Sequence, residues 1–460
     1  MGTQTVSKQE RYLNIGYFLL SVLIIVWPAL YNNFPLVTSD SGAYIHNGLR
    51  PWVPIDRPWG YSAFILCTSF GVSLWGVVLA QGVIAVWLLK RLCKILLGEF
   101  YSNPLLLCIL ILISFGTSAA WFISQIMPDA FSGLFVISLL LLYLQRAQPK
   151  WTYINLAIIA LICLMHYSHL MILLLLIVVL FLFFFRAASR KDKSLIKKMT
   201  VLSVACYLLI STINVVKYQK FTLSPASHVF LMARFAENGI LDKYLNENCA
   251  QKTYELCNCK DKLGERQWEF MWNTNVPFPH NKENGWLNSR KEYNSIIRDI
   301  FSKPKYWGLF ALKCVEGTAR QMGQIQIGEG LDPMTEGSSP YSCINELLHH
   351  ELKEFRNTRQ AAGQLPLSSM SWIITLSAAI ICSFALSLRG KPDHKMLWRI
   401  IIAGTLILLL FNAFVTSTFS TVIGRLQSRM FWVLPMLAII YIIGHKKQKD
   451  VMNEESHIPG

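Results

Sequence analysis

Apolar residues in this chain gather into long runs instead of marking one face of amphipathic helices. The stretches 13–30, 105–122 and 170–185 contain no Lys, Arg, Asp or Glu. About 17–25 apolar residues are what a helix needs to cross the hydrocarbon of a bilayer. The pattern predicts ten such spans, near 13–30, 73–89, 104–122, 129–145, 151–166, 169–186, 199–216, 370–388, 400–417 and 430–444. No small-residue cleavage pattern follows the first run, so it reads as a retained helix and not as a removed signal peptide. The fold expected is an all-α polytopic membrane protein with about ten transmembrane helices and a mixed extracytoplasmic domain inserted between helices 7 and 8. Its parts are an N-terminal segment 1–12, spans 1 to 7 over 13–216, the insert 217–366, spans 8 to 10 over 367–445, and a tail 446–460. Within the insert, 273–285 and 328–342 read as loops. Residues 295–322 carry apolar positions at helical spacing, interrupted at Pro304. That stretch fits an amphipathic helix on the membrane surface, and equally a helix packed on the insert's own core. The tail after Gly444 is polar and is expected to be disordered.

Composition agrees with the pattern: of 460 residues, 53% are hydrophobic and only 15% charged, against about a quarter charged in soluble proteins. The net charge of +16 invites a nucleic-acid reading, but its distribution removes that need. With alternate sides counted, the inner segments hold twenty basic residues: Lys8, Arg11, Lys90, Arg91, Lys94, Arg146, Lys150, six between Arg186 and Lys198, Arg389, Lys391, Lys395, Arg399, Lys446, Lys447 and Lys449. The short outer loops hold four, Arg50, Arg57, Arg425 and Arg429. Basic residues stay on the cytoplasmic side, so both termini are expected inside and the insert outside. The insert, with 19 basic and 17 acidic residues, has the balance of a folded soluble domain.

Five of the eleven cysteines fall in the insert: Cys249, Cys257, Cys259, Cys314 and Cys343. Outside the cytoplasm some of them can pair, with at least one left over. Cys257 and Cys259 hint at a metal, but no second ligand pair follows at zinc-site spacing. The chain has no Asn-x-Ser/Thr sequon, which favours a bacterial inner membrane over a glycosylating compartment.

Candidate chemistry comes from elimination. Of 27 acidic residues, 17 lie in the insert and seven (Glu10, Glu99, Asp192, Asp393, Asp450, Glu454, Glu455) on the inner side. Asp40, Asp56 and Asp129 remain, all in short outer segments beside apolar runs. Ionisable groups at such depth are costly and tend to face a cavity or mark a functional site. Each also has a plain structural reading. Asp40 suits the start of a short helix running to His46, with Ser39 or Ser41 assisting. Asp129, after Pro128, suits the start of the fourth helix. Asp56 suits a local ion pair with Arg57.

The motifs around these acids are Asp40-Ser41-Gly42-Ala43-Tyr44, Arg57-Pro58-Trp59-Gly60-Tyr61, Asp129 at the outer turn between spans 3 and 4, and Arg429-Met430-Phe431-Trp432-Val433-Leu434-Pro435. In order, side and spacing they resemble the GT-C class of membrane glycosyltransferases, which includes aminoarabinose transferases and protein O-mannosyltransferases. The resemblance covers roughly residues 12–190 and 420–440 and leaves out the insert. It implies transfer of a sugar from a polyprenyl-phosphate donor to an extracytoplasmic glycan, lipid or protein acceptor, with inversion at the anomeric carbon. On that resemblance Asp40 is the expected base and Asp129 a second catalytic carboxylate. Arg57, Arg425 and Arg429 are expected phosphate ligands, with Asp56, Tyr61, His166 and His169 as further substrate contacts. His166 and His169 also read as a polar interfacial turn or as a metal pair at i, i+3 spacing lacking a third ligand. One acid followed by Ser-Gly stands where the family has an acidic pair, so a divalent metal stays open, with no ligands assigned. Trp52, Trp59, Tyr61 and Trp121 read mostly as interfacial anchors.

Two other functions fit a chain of this outline. An O-antigen polymerase or ligase would depend on an insert arginine such as Arg320 more than on Asp40. A transporter or flippase of lipid-linked sugar would show inverted repeats and helices broken at mid-membrane, and no such repeat is visible.

Overall fold

The computed structural model describes residues 8–282, 284–388 and 395–456. Arg389, Lys391 and Asp393, counted above on the inner side, lie outside the described residues, as does Glu283. Regular structure among the described residues is helical, and the one β feature is an isolated parallel bridge between Leu36 and Gln125.

Among the described residues, six helices are long and apolar enough to cross a membrane: Trp75–Phe100, Tyr167–Phe184, Arg190–Tyr218, Leu367–Ser387, Met396–Phe419 and Gly424–Lys446. Their surfaces leave large apolar residues such as Phe183, Val201, Ile380 and Leu386 exposed, as contact with lipid requires. The other four predicted runs are also helical but shorter or broken. Asn103–Gly116, Pro128–Leu144 and Pro149–Met165 are apolar helices below spanning length. The first run is Lys8–Ile25 followed, across a break at Val26, by Trp27–Asn32 with Pro28 in its first turn. Pro there lacks the N–H that a continuous helix would use. The third run stops at Gly116, where the Thr117 hydroxyl donates to the Ile113 carbonyl, and resumes as Ala119–Ile123.

The two ends of the bundle keep their assigned charges apart. At one end Arg146 pairs with Asp192 at 2.7 Å, and Arg91 donates to the Gln145 and Asn155 side-chain amides. The charges assigned to the outer side, except Arg50, meet at the other end beside the insert, where Arg50 pairs with Glu346 instead. The tail differs from expectation as far as it is described, because helix Val433–Ser456 continues into it to Ser456. Lys, Gln and Glu are good helix formers, and extending an existing helix avoids the cost of nucleation.

The insert is helical among its described residues, not mixed, and it has two unlike parts. Residues 226–306 build their own core around Phe235, Leu241, Tyr244, Ile296 and Tyr306. Helix Arg290–Ser302 turns Tyr293, Ile296 and Ile300 into that core, which is the plainer of the two readings of 295–322. After Lys303, Pro304–Met322 forms a separate helix that packs along the membrane helix Lys395–Phe419, with Thr318 Oγ1 3.3 Å from Ser417 Oγ. Cys249 and Cys257 form a disulfide, whereas Cys259, Cys314 and Cys343 are free. Residues 324–366 belong instead to the membrane bundle. Ile344, Leu348 and Phe355 join its core, and Glu351 accepts from the Ser73 hydroxyl and the Leu74 N–H at the head of the helix Trp75–Leu97.

Candidate functional site

The outer loops converge because backbone and small side chains tie them together. Leu36 N–H donates to the Ser124 carbonyl at 3.0 Å, and Ile126 N–H to the Leu36 carbonyl at 2.9 Å. The Ser41 hydroxyl accepts from Thr38 N–H at 2.8 Å and donates to the Ile126 carbonyl at 2.9 Å. These bonds set the Asp40 segment beside Asp129. The glycines of both motifs serve close approach: a Cβ on Gly42 would collide with Ser339 of the insert, and one on Gly60 with the Leu164 carbonyl. The Gln360 amide closes the arrangement by bonding both the N–H and the carbonyl of Val37.

At the centre three carboxylates alternate with three guanidiniums. Asp40 Oδ1 lies 3.3 Å from Arg57 Nη2, and its Oδ2 lies 3.2 Å from Arg425 Nη2. Arg57 also holds Asp56, through Nη2 at 2.7 Å and Nε at 2.9 Å, and its guanidinium carbon lies 4.8 Å from the centre of the Tyr44 ring. Arg425 Nε reaches Asp129 Oδ2 at 3.5 Å, while Arg429 Nη1 donates to Asp129 Oδ1 at 2.6 Å. Arg429 Nη2 donates further to Ser168 Oγ at 3.1 Å and Asn412 Oδ1 at 3.2 Å. The insert enters through Glu329, which accepts from Arg425 N–H at 3.4 Å.

Exposure divides this cluster. The Asp40 side chain is 34% exposed and those of Arg57 and Arg425 about 14–15%, whereas Asp129 is 1% exposed and Arg429 fully buried. Asp40, Arg57 and Arg425 form the accessible half, and Asp129 with Arg429 a closed pair behind it. Burial pushes the Asp40 carboxyl up, but the Arg57 and Arg425 guanidiniums outweigh it and hold the group below its ordinary 3.8. Asp40 precedes the helix Ser41–Leu49 yet its side chain makes no capping bond, so that helix start does not explain it. Nor do the carboxylate oxygens of Asp129 cap the fourth helix; they face Arg425 and Arg429. The local Asp56–Arg57 pair is present, but Arg57 shares it with Asp40.

The remaining candidates are set further back. His166 Nδ1 accepts from Ser168 N–H at 3.1 Å and lies 2.8 Å from the same Ser168 hydroxyl that meets Arg429. His169 is buried between Ser132 Oγ at 2.9 Å and the Ile162 carbonyl at 3.2 Å, away from the acids. Tyr61 is also buried, donating to Gln81 Oε1 at 2.7 Å behind the ring of Tyr44. Trp121 is fully buried, not an interfacial anchor, in a ring contact with Trp27. Arg320 is exposed and pairs with Glu316 on its own helix.

A divalent metal does not fit these side chains. Among the described residues no three His, Cys, Asp or Glu are grouped to hold one. Each cluster carboxylate already faces a guanidinium, a partner that repels a cation. Sequence reasoning missed Gln81, Ser168, Asn412 and Glu329. Gln81 and Asn412 had a signal, being neutral polar residues inside apolar runs.

Comparison of the chain with protein-family models, curated proteins and solved structures finds no match.

Proposed function

We propose that the chain is a ten-span membrane glycosyltransferase of GT-C type, moving a sugar from a polyprenyl-phosphate donor to an acceptor hydroxyl at the outer face of a bacterial inner membrane. The observation that carries this reading is the accessible carboxylate of Asp40 held between two arginines, Arg57 and Arg425. Phosphate monoesters and diesters suit paired guanidiniums, whose planar forks bind oxygens two at a time. A carboxylate beside them suits an acceptor hydroxyl.

In this scheme the donor phosphate takes over Arg57 and Arg425. The bond from the anomeric carbon to phosphate oxygen breaks and its electron pair leaves on the phosphate, stabilised by the two cations. The acceptor oxygen attacks from the opposite face and its proton passes to Asp40. A carboxyl held low is a weak base, and the exchange corrects this. Each guanidinium that turns to phosphate stops holding the Asp40 carboxyl down, so the base strengthens only when donor is bound. Asp129 and Arg429 position Arg425 from behind.

The test is release of polyprenyl phosphate by purified protein in detergent, offered a panel of polyprenyl-phosphate sugars with cell-envelope extract as acceptor. Loss of release on Asp40→Asn, with the protein still folded, supports the reading. Release that survives this substitution removes the mechanism. Release that instead depends on Arg320 favours a polymerase or ligase.

A further inference from the structure

The insert carries a second concentration of chemistry that the proposed reaction leaves unused. Between the helices Gln267–Met271 and Gly285–Asn288, Trp272, His280 and Trp286 come together in one group. The His280 ring centre lies 4.3 Å from that of Trp272 and 4.5 Å from that of Trp286, and the two indoles are 5.6 Å apart. Trp286 is the anchor. It is 4% exposed, meets Phe230 on another side, and its carbonyl accepts from His228 Nε2 at 2.7 Å and Ser289 Oγ at 2.9 Å. Trp272 keeps 48% of its surface open, and His280 is exposed beside it. A buried indole thus holds two open rings in place.

This platform is joined to the acid–arginine cluster. Ile55 and Phe278 both pack against the core that contains Val276 and Trp286, which ties the segment leading into Asp56 and Arg57 to the first part of the insert. The charges of both Asp56 and Arg57 act on the His280 ring.

We propose that Trp272 and His280 form a sugar-binding subsite, with a pyranose ring of the acceptor stacked on the open indole and one of its hydroxyls bonded to His280. A pyranose has apolar C–H faces and a polar rim, which matches an exposed aromatic face flanked by polar and charged groups. An acyl chain would need continuous apolar surface. Here the open indole is followed by Asn273, Thr274 and Asn275 and meets a histidine ring. That the bound sugar is the acceptor rests on the glycosyl-transfer reading, whereas the binding of sugar does not.

The experiment is a glycan array probed with the full-length, fluorescently labelled protein in nanodiscs, comparing wild type, Trp272→Ala and Trp272→Phe. Wild type is expected to bind a subset of glycans, Trp272→Ala about tenfold more weakly, and Trp272→Phe nearly as well as wild type. Equal unfolding temperatures for the three Trp272 forms would show that the loss is local, since Trp286 and not Trp272 is the buried ring. No binding by wild type overturns the proposal, as does unchanged binding by Trp272→Ala. Normal glycan binding combined with donor release that survives Asp40→Asn would sink the transfer reading and leave the subsite standing.

Discussion

Asp40 and Asp129 look alike as residues, each a lone acid beside an apolar run, but their surroundings give them different work. Asp129 and Arg429 are both almost wholly buried, and each is the other's nearest counter-ion. Removing one partner of a buried pair leaves the other charged without compensation, at a cost of about 3–5 kcal/mol. Asp129→Asn is therefore expected to lower the thermal unfolding midpoint in detergent sharply, and Arg429→Gln to lower it by less, because Arg425 still lies 3.5 Å from Asp129. The double variant should lose less than the two single losses added, because it strands no charge. Asp40→Asn should cost far less stability: its carboxylate is one-third exposed, and Arg57 and Arg425 keep Asp56 and Asp129 as partners. An Asp129→Asn protein that kept its unfolding midpoint but lost turnover would contradict this division and make Asp129 a participant in the chemistry.

Among the elements, the helix Ser227–Glu237 decides how the first part of the insert responds to acid. It carries His228, 4% exposed, whose Nε2 bonds the Trp286 carbonyl. Burial pushes the His228 pKa down to about 4 from 6.5. The unfolded chain takes up the proton first, so the stabilising contribution is complete above pH 6.5 and is lost as pH falls from there to about 4. The shift corresponds to roughly 3 kcal/mol. Unfolding of wild type and His228→Gln, followed by tryptophan fluorescence at pH 7 and pH 4.5, checks the sign. Wild type should lose more stability across that interval, and equal losses would refute the assignment. Because Trp286 supports the aromatic platform, acid should also loosen the Trp272–His280 pair. This helix was not foreseen in detail. Periodicity singled out 295–322, whose apolar spacing is strong, but it could not say that 290–302 turns inward while 304–322 lies along a membrane helix. Both segments have an apolar face, and only tertiary packing distinguishes them.

Across the whole molecule, what was legible in the sequence followed from the high cost of placing charge in lipid. Basic residues alternate between sides, which assigned every short loop to one end. Of the few charges assigned to the outer loops, Asp40, Asp56, Asp129, Arg57, Arg425 and Arg429 do meet, whereas Arg50 pairs with Glu346 of the insert. Neutral polar residues escape such counting, so Gln81, Ser168 and Asn412 did not stand out. The packing of 324–366 on the outer loops was invisible for another reason. Gln360 and Val37 are 323 residues apart, and such a contact leaves no local pattern. The same charge logic makes a prediction about orientation, because Glu329 and Ser339 tie the insert to the cluster and the two must face the same compartment. Single cysteines at Ser302 and Lys197, both exposed, would sit at opposite ends of the bundle. In intact spheroplasts a membrane-impermeant maleimide should add one label, relative to wild type, to Ser302→Cys and none to Lys197→Cys until the membrane is permeabilised. The reverse pattern would put Asp40, Arg57 and Arg425 at the cytoplasmic face. It would also leave the Cys249–Cys257 disulfide in a reducing compartment, and the donor would then have to be met on the side where it is made.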